Sequence, residues 1–234
     1  MRTIGTILGF ATAFALTAVA SPGQAQEFGK KGDAVFSAER LFGFQSTHIF
    51  EERPDPVDDI EDDWSYFGIG WRGTYISDFS PYDVPRLGFD YLVIDGLSIG
   101  GSLGFATISG DTDDGFGGFD NDPSGTAVLL NPRVGYVYMF SKAVGIWPRG
   151  GLVFHSLSVE NDDDFQVSES GFGLNLECMF PIVPSDHWGF LVGPTIDLDF
   201  TGSRDYDYPG PAPDDDFDRR YRTIGLQAGI FGWL

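Results

Sequence analysis

The residues of this 234-residue chain most able to do chemistry are its carboxylates. Asp111, Asp113 and Asp114 stand beside Gly115 with the spacing that opens a calcium loop, but no later Glu supplies the bidentate ligand that completes one. They are weak metal candidates. Segments 51–63, 111–122, 160–164 and 205–218 hold 23 of the 35 acids. Such loops would hold Ca²⁺ or Mg²⁺ loosely, and no other cofactor is expected. The formal charge of −21 becomes −22 if Arg2 is removed with a leader, which excludes nucleic acid as a partner for a basic surface. His48, His155 and His187 are the only imidazoles. His155 stands next to Ser156, but nothing in the sequence marks a third catalytic member. Ser102 in GGSLG and the run GIGWRG at 68–73 match a nucleophile elbow and a dinucleotide loop by letter alone. The first needs a strand-to-helix turn and the second must open a helix, and neither context is present. No catalytic residue is assigned.

A second polar set emerges once the strands are drawn. Apolar residues alternate with small or polar ones over roughly 34–50, 86–95, 97–109, 125–140, 143–158, 166–181, 187–200 and 220–234, the period of a two-faced strand. One face of each is Phe-, Leu-, Ile- and Val-rich. The other carries Glu39, Asp90, Asn131, Arg133, Arg149, Asn175, Glu177, Asp197, Asp199 and Gln227. Two arginines among carboxylates imply a buried ion-pair network, since each buried charge needs a partner. The same set read functionally would be a proton or ion path. Arg40 falls on the apolar face of the first strand in this register, which either a bulge or a reach of its side chain toward the interface would resolve. Residues 51–63 read as an exposed loop because eight acids and two prolines oppose a strand. Cys178, the single cysteine, falls on the apolar face as a small hydrophobe.

The chain opens with Arg2, an uncharged apolar run from Ile4 to Ala20 and small residues at Ala18–Ala20 and Gly23–Ala25, the layout of a secretory signal peptide. The expected division is residues 1–25 as signal, with cleavage after 20 as the alternative, and 26–234 as one domain. Asp95-Gly96 marks a tight hairpin. From residue 86 onward connections alternate short and long, so turns and acidic loops lie at opposite ends. That asymmetry predicts an all-β, up-and-down antiparallel transmembrane β-barrel of eight strands, or ten if 64–85 forms a further hairpin. Its short turns and C-terminus would face the periplasm. An eight-stranded barrel is filled by its own side chains. Trp64, Trp71, Trp147, Trp188 and Trp233 suit interfacial aromatic girdles.

Signal peptide, alternating strands, acidic loops and the terminal QAGIFGWL together resemble the outer-membrane β-barrel domain family, of the OmpA-type eight-stranded kind. Gln227, Gly229 and Ile230 match its C-terminal assembly signal, with Trp233 and Leu234 at the end where the family has a final aromatic. The resemblance implies outer-membrane lipid and the barrel-assembly machinery as partners, and a monomer. The expected role is a non-enzymatic structural or surface-interaction protein with acidic external loops. The alternatives are a narrow pore or transporter for small solutes, a lipid-modifying outer-membrane enzyme, or a secreted soluble β-barrel.

Overall fold

The computed structural model describes residues 27–52, 59–69, 80–109, 124–160, 166–207 and 215–234. The signal-peptide assignment lies outside these residues, as do Asp111, Asp113, Asp114 and Trp71. Ten strands run in chain order: β1 (Ala34–Glu52), β2 (Ile60–Ile69), β3 (Arg86–Leu92), β4 (Leu97–Ser109), β5 (Ser124–Tyr136), β6 (Tyr138–Met139), β7 (Gly145–Glu160), β8 (Gln166–Ile182), β9 (Trp188–Asp207) and β10 (Asp215–Trp233), with a 3₁₀ turn at Pro81–Asp83. Eight of them close a barrel. Neighbours pair antiparallel in the order β10-β9-β8-β7-β5-β4-β3-β1, and β1 pairs β10 from Val35↔Trp233 to Glu52↔Asp218. The backbones of Ala34 and Leu234 exchange two hydrogen bonds of 3.1 Å. The β1–β10 seam closes the wall, as hydrocarbon demands of a sheet; above Gly104, β4 pairs only β5 and β2 pairs only β1 among the described residues.

The remaining two strands settle the eight-or-ten question. β2 pairs the upper half of β1 (Phe42↔Ile69 to Glu51↔Ile60), and β3 pairs its lower half (Ala34↔Tyr91 to Glu39↔Arg86). β3 alone links β1 to β4 and so holds the second position of the barrel, β2 extends the β1 ladder above it, and the chain before β3 turns inward at residues 80–85. β6 is a two-residue continuation of β5 that pairs β7. The expected loop at 51–63 is corrected: Glu51, Glu52 and Ile60–Asp63 are strand, as are Thr201–Asp207 and Asp215–Arg219 within the expected loop at 201–219. These strands rise past the lipid, where exposed acids such as Asp62 and Asp63 meet water and the buried Glu51 is paired with Arg219. Opposite charges also meet across the ladder, directly at Glu51↔Arg219 and diagonally where Arg220 Nη2 donates to Glu52 Oε2 at 3.4 Å.

Large apolar side chains point outward. Phe44, Phe105, Leu130, Leu152, Leu176, Phe190, Leu226 and Ile230 are all exposed. A soluble domain rarely shows a patch of even a few hundred square ångströms, so a continuous belt around a closed barrel is a lipid-facing surface. Its upper limit runs through Phe44, Phe154, Phe172 and Phe200, with the Phe172 ring 4.9 Å from Phe154 and 5.7 Å from Phe200. Above it the outward positions turn polar, as at Ser46, Ser156 and Ser170. The short connections share one end with Leu234. They include Asp95-Gly96, where Gly96 takes φ +82° as the tight turn requires. By the usual asymmetry of such barrels this end is periplasmic.

The belt predicts a depth-dependent cost. Leu176→Arg, mid-belt on β8, should destabilise the barrel by about 2–4 kcal/mol, and Ser156→Arg above the belt by about 0–1 kcal/mol, by urea unfolding in phospholipid vesicles.

Candidate functional site

The interior is the most elaborated part of the molecule, and it is filled in three tiers. At the periplasmic end Phe28 inserts from the N-terminal turn and is buried. Its ring lies 5.7 Å from Trp147, 4.9 Å from Phe231 and 5.1 Å from Trp233. Asp33 Oδ2 fastens that turn by accepting hydrogen bonds from the Gly29 and Lys30 amides (2.8 and 3.0 Å). Trp147 Nε1 donates to Ser98 Oγ at 3.1 Å. Trp147 and Trp233 are thus lumen residues, correcting their expected place in the girdles. Both sit at inward positions of their strands, and the aromatic girdle rule weighs composition without the parity of the strand. Trp188 is exposed on the outer wall.

The middle tier is ionic. Arg133 on β5 forks onto Glu39 (Nη1–Oε2 2.7 Å, Nη2–Oε1 2.8 Å) and also donates to Asp90 (Nη2–Oδ2 2.5 Å, Nε–Oδ1 3.2 Å). Arg149 Nη1 donates to Glu39 Oε1 at 2.7 Å, and its Nη2 lies 2.6 Å from Glu177 Oε2. Ser37 Oγ donates to Glu39 Oε1 at 2.8 Å, and Asn175 Nδ2 to Asp197 Oδ1 at 2.8 Å. Asn131 Nδ2 instead donates to the Leu152 carbonyl at 2.9 Å. Room for the Arg133 fork comes from Gly88, where a Cβ would stand 2.3 Å from Ser37 Oγ and 2.9 Å from Arg133 Nη2.

Two arginines of this tier are absent from the sequence-derived set. Arg40 reaches inward because the ladder with β10 slips between Ala38 and Phe42 and Arg40 takes φ +56°. Its guanidinium holds Asp197 (2.7 and 3.1 Å), Glu177 (3.4 Å) and the Tyr82 carbonyl (3.1 Å). The bulge is therefore what turns it from the lipid face. Arg86 shares the parity of Gly88 and Asp90, a signal present in the sequence. It is fully buried with Nη2 3.7 Å from Asp197 Oδ1. Arg40, Arg86, Arg133 and Arg149 thus meet Glu39, Asp90, Glu177 and Asp197, four positive against four negative.

The upper tier centres on Asp199, which stands apart from that network. Its carboxylate lies 3.2 Å from His155 Nε2, accepts the Tyr82 hydroxyl and accepts the Tyr221 amide at 3.1 Å. Tyr82 comes from the inward turn between β2 and β3, so Asp199 ties that turn to the wall. Above the belt, the Tyr221 hydroxyl donates to Glu169 Oε2 at 2.9 Å, and Arg219 Nη1 donates to Glu51 Oε2 at 2.8 Å. Arg204 lies 3.8–3.9 Å from both glutamates. Burial pushes the Glu169 carboxyl above the usual range, partly offset by Arg219, Arg204 and the Tyr221 hydroxyl. Gln227 belongs to neither charged group, its Nε2 donating to Gln45 Oε1 at 2.9 Å.

The other residues singled out by sequence are dispersed. Ser102 lies mid-strand on β4 with a buried Oγ. His155 and Ser156 face opposite sides of the wall, one buried and one exposed. His48 Nδ1 lies 2.9 Å from Asp63 outside the barrel, and Cys178 is half-buried. At the C-terminal signal, Gly229 passes so close to β1 that a Cβ would meet the Ala38 carbonyl at 2.4 Å, and Leu234 is exposed.

A closed eight-stranded barrel, apolar outside and polar within, has counterparts among solved structures. The outer membrane protein OprG of Pseudomonas aeruginosa matches with a TM-score of 0.55 at 12% identity, over 89% of this chain and 99% of that one. The chain has the outer-membrane β-barrel fold. A major outer membrane protein of Thermus thermophilus matches over 86% of this chain and 99% of that one, with 16% identity and a TM-score of 0.46. The outer membrane protein AlkL matches over 92% and 95%, with 12% identity and a TM-score of 0.47. No protein-family model matches the chain, and no curated protein does. The lipid-facing belt and the fold together place this outer-membrane barrel in that membrane.

The ionic tier and the Glu169 group each make a prediction. Arg133→Met leaves Glu39 and Asp90 buried with fewer partners and should cost about 3–5 kcal/mol. The double variant Arg133→Met/Glu39→Gln should cost less than the sum of its single changes in a urea-unfolding cycle. At Glu169 the folded state holds its proton more tightly than the unfolded chain. Stability should therefore fall as pH rises from the ordinary glutamate range through the raised folded value. Glu169→Gln should flatten that part of the melting-temperature profile.

Proposed function

We propose that the protein is a non-conducting, non-enzymatic outer-membrane barrel that acts through its acidic external surface. The observation that carries this reading is the filled interior: an aromatic plug, a balanced ion network and the Asp199 group stand in series along one axis. A hydrated ion entering this path would have to displace arginines from carboxylates held at 2.5–2.7 Å. The non-enzymatic reading is supported by the surroundings of His155. It has a carboxylate partner in Asp199, as a general base would. Among the described residues, though, no hydroxyl or thiol is hydrogen-bonded to it as a nucleophile. Ser156 lies on the opposite face of the wall.

What is left to interact is the external rim. Nine of the eleven described Arg and Lys residues stand elsewhere: Arg40, Arg86, Arg133 and Arg149 fill the middle of the lumen, Arg204 and Arg219 are buried above them, and Lys30, Lys31 and Lys142 lie at the periplasmic end. The acids dominate the opposite end. Divalent cations held there would bridge the rim to the anionic outer leaflet or to an anionic partner surface. Insertion by the barrel-assembly machinery and a monomeric state accompany this reading.

Reconstituted in a planar bilayer, the barrel should show no unitary conductance. Proteoliposomes already carrying the barrel should cluster with separate vesicles of anionic lipid only when Ca²⁺ is added, and this association should disappear when the acids of 52–63 and 205–218 are changed to amides. Discrete single-channel openings by the unmodified barrel would overturn the non-conducting reading. Calcium-independent association would overturn the bridging role.

A further inference from the structure

The periplasmic end carries a cleft that the external role does not use. It encloses about 440 Å³, within the range of small-ligand sites. Four short segments form it: the N-terminal turn around Phe28, the β3–β4 turn at Asp95-Gly96, the stretch from Tyr136 through the β6–β7 turn, and the β8–β9 turn. Its floor is apolar. Val137 is buried in the aromatic cluster of Phe28 and Trp147, and Met139 and Val183 pack against that cluster. Its rim holds both signs of charge, Lys30 and Lys142 on one hand and Glu27, Asp95 and Asp186 on the other, with Lys30 Nζ 3.5 Å from Glu27 Oε2 across an exposed pair. The Asp95 carboxylate is itself held in place by the Lys31 amide at 2.9 Å. Tyr136 and Tyr138 line the cleft and are also more than half exposed on the outer wall, so it opens beside the lipid.

That combination selects one kind of ligand. All three lysines of this acidic chain lie at this end of the barrel. A purely anionic headgroup would meet the lysines but be repelled by Asp95 and Asp186. A quaternary ammonium has no N–H to give a carboxylate, whereas a primary ammonium has three donors. Exposed tyrosines at a membrane interface take up the glycerol region, where a ring with an apolar body and a polar tip is at home. We propose that this cleft binds the headgroup of a zwitterionic glycerophospholipid with a primary ammonium, drawn from the periplasmic leaflet. The phosphate sits against Lys142 and Lys30, and the ammonium against Asp186 and Asp95. The acyl chains leave past Tyr136 and Tyr138 along the belt. The site is independent of the external surface and of whether the lumen conducts.

Native mass spectrometry of the detergent-purified barrel with phosphatidylethanolamine, phosphatidylglycerol and phosphatidylcholine in equal amounts tests this. The unmodified barrel should retain one phosphatidylethanolamine with a preference of about fivefold, the scale of two solvent-exposed ion pairs. Lys142→Ala/Asp186→Ala should bring the three lipids to parity while the unboiled band keeps its shifted gel mobility. Lys142→Ala alone, on an exposed turn, should lose part of the preference. Equal retention of all three lipids by the unmodified barrel would overturn the proposal. So would a preference for phosphatidylglycerol or phosphatidylcholine, or an unchanged preference in a folded double variant.

Discussion

The balance of charge in the lumen is the constraint on which the rest of this barrel depends. Four guanidinium groups and four carboxylates sit where water does not reach. An unpaired charge in such a place would cost several kcal/mol even after relaxation. The geometry answers that cost by sharing. Glu39 serves both Arg133 and Arg149, Glu177 serves Arg149 and Arg40, and Asp197 holds Arg40 with Arg86 beside it. These residues come from β1, β3, β5, β7, β8 and β9. The network therefore fixes the relative register of six of the eight wall strands, since a slip by one residue would send a charge into lipid.

The fold is an inversion of the usual arrangement. Burial of apolar surface drives a soluble domain inward. Here the bilayer takes that surface, and the interior must be stabilised by polar groups satisfying one another. Glycine makes this feasible on the inner wall, as at Gly88, where the Arg133 fork occupies the space of a side chain. The aromatic plug around Phe28 is the exception, an apolar core in miniature. It lies where the barrel meets the periplasm and would otherwise admit water to the ion network.

Much of this was legible in sequence. Period-two alternation identified the lipid face and the lumen face on every long strand, and parity alone put Glu39, Asp90, Arg133, Arg149, Glu177 and Asp197 on one side. Arg86 was legible by the same rule. Arg40 was not, because its inward turn depends on a local slip between β1 and β10 and a positive φ that no alternation rule describes. The acidic strand ends of β1, β2, β9 and β10 were misread as loop for a related reason. Composition opposes a strand within a membrane or a core, but these segments stand in water and are held by pairing across the ladder.

The sequence by itself determined the class of structure and the two faces of its strands, because these depend only on periodicity, turn lengths and composition. Only the tertiary structure decided which charges meet, that β3 alone holds the second position of the barrel while β2 extends the β1 ladder above it, and that the turn before β3 reaches Asp199 through Tyr82. It alone brought four distant segments together into the periplasmic cleft. Those features rest on contacts between residues far apart in the chain. Such contacts exist only once the barrel has closed and set which side chains share its narrow interior.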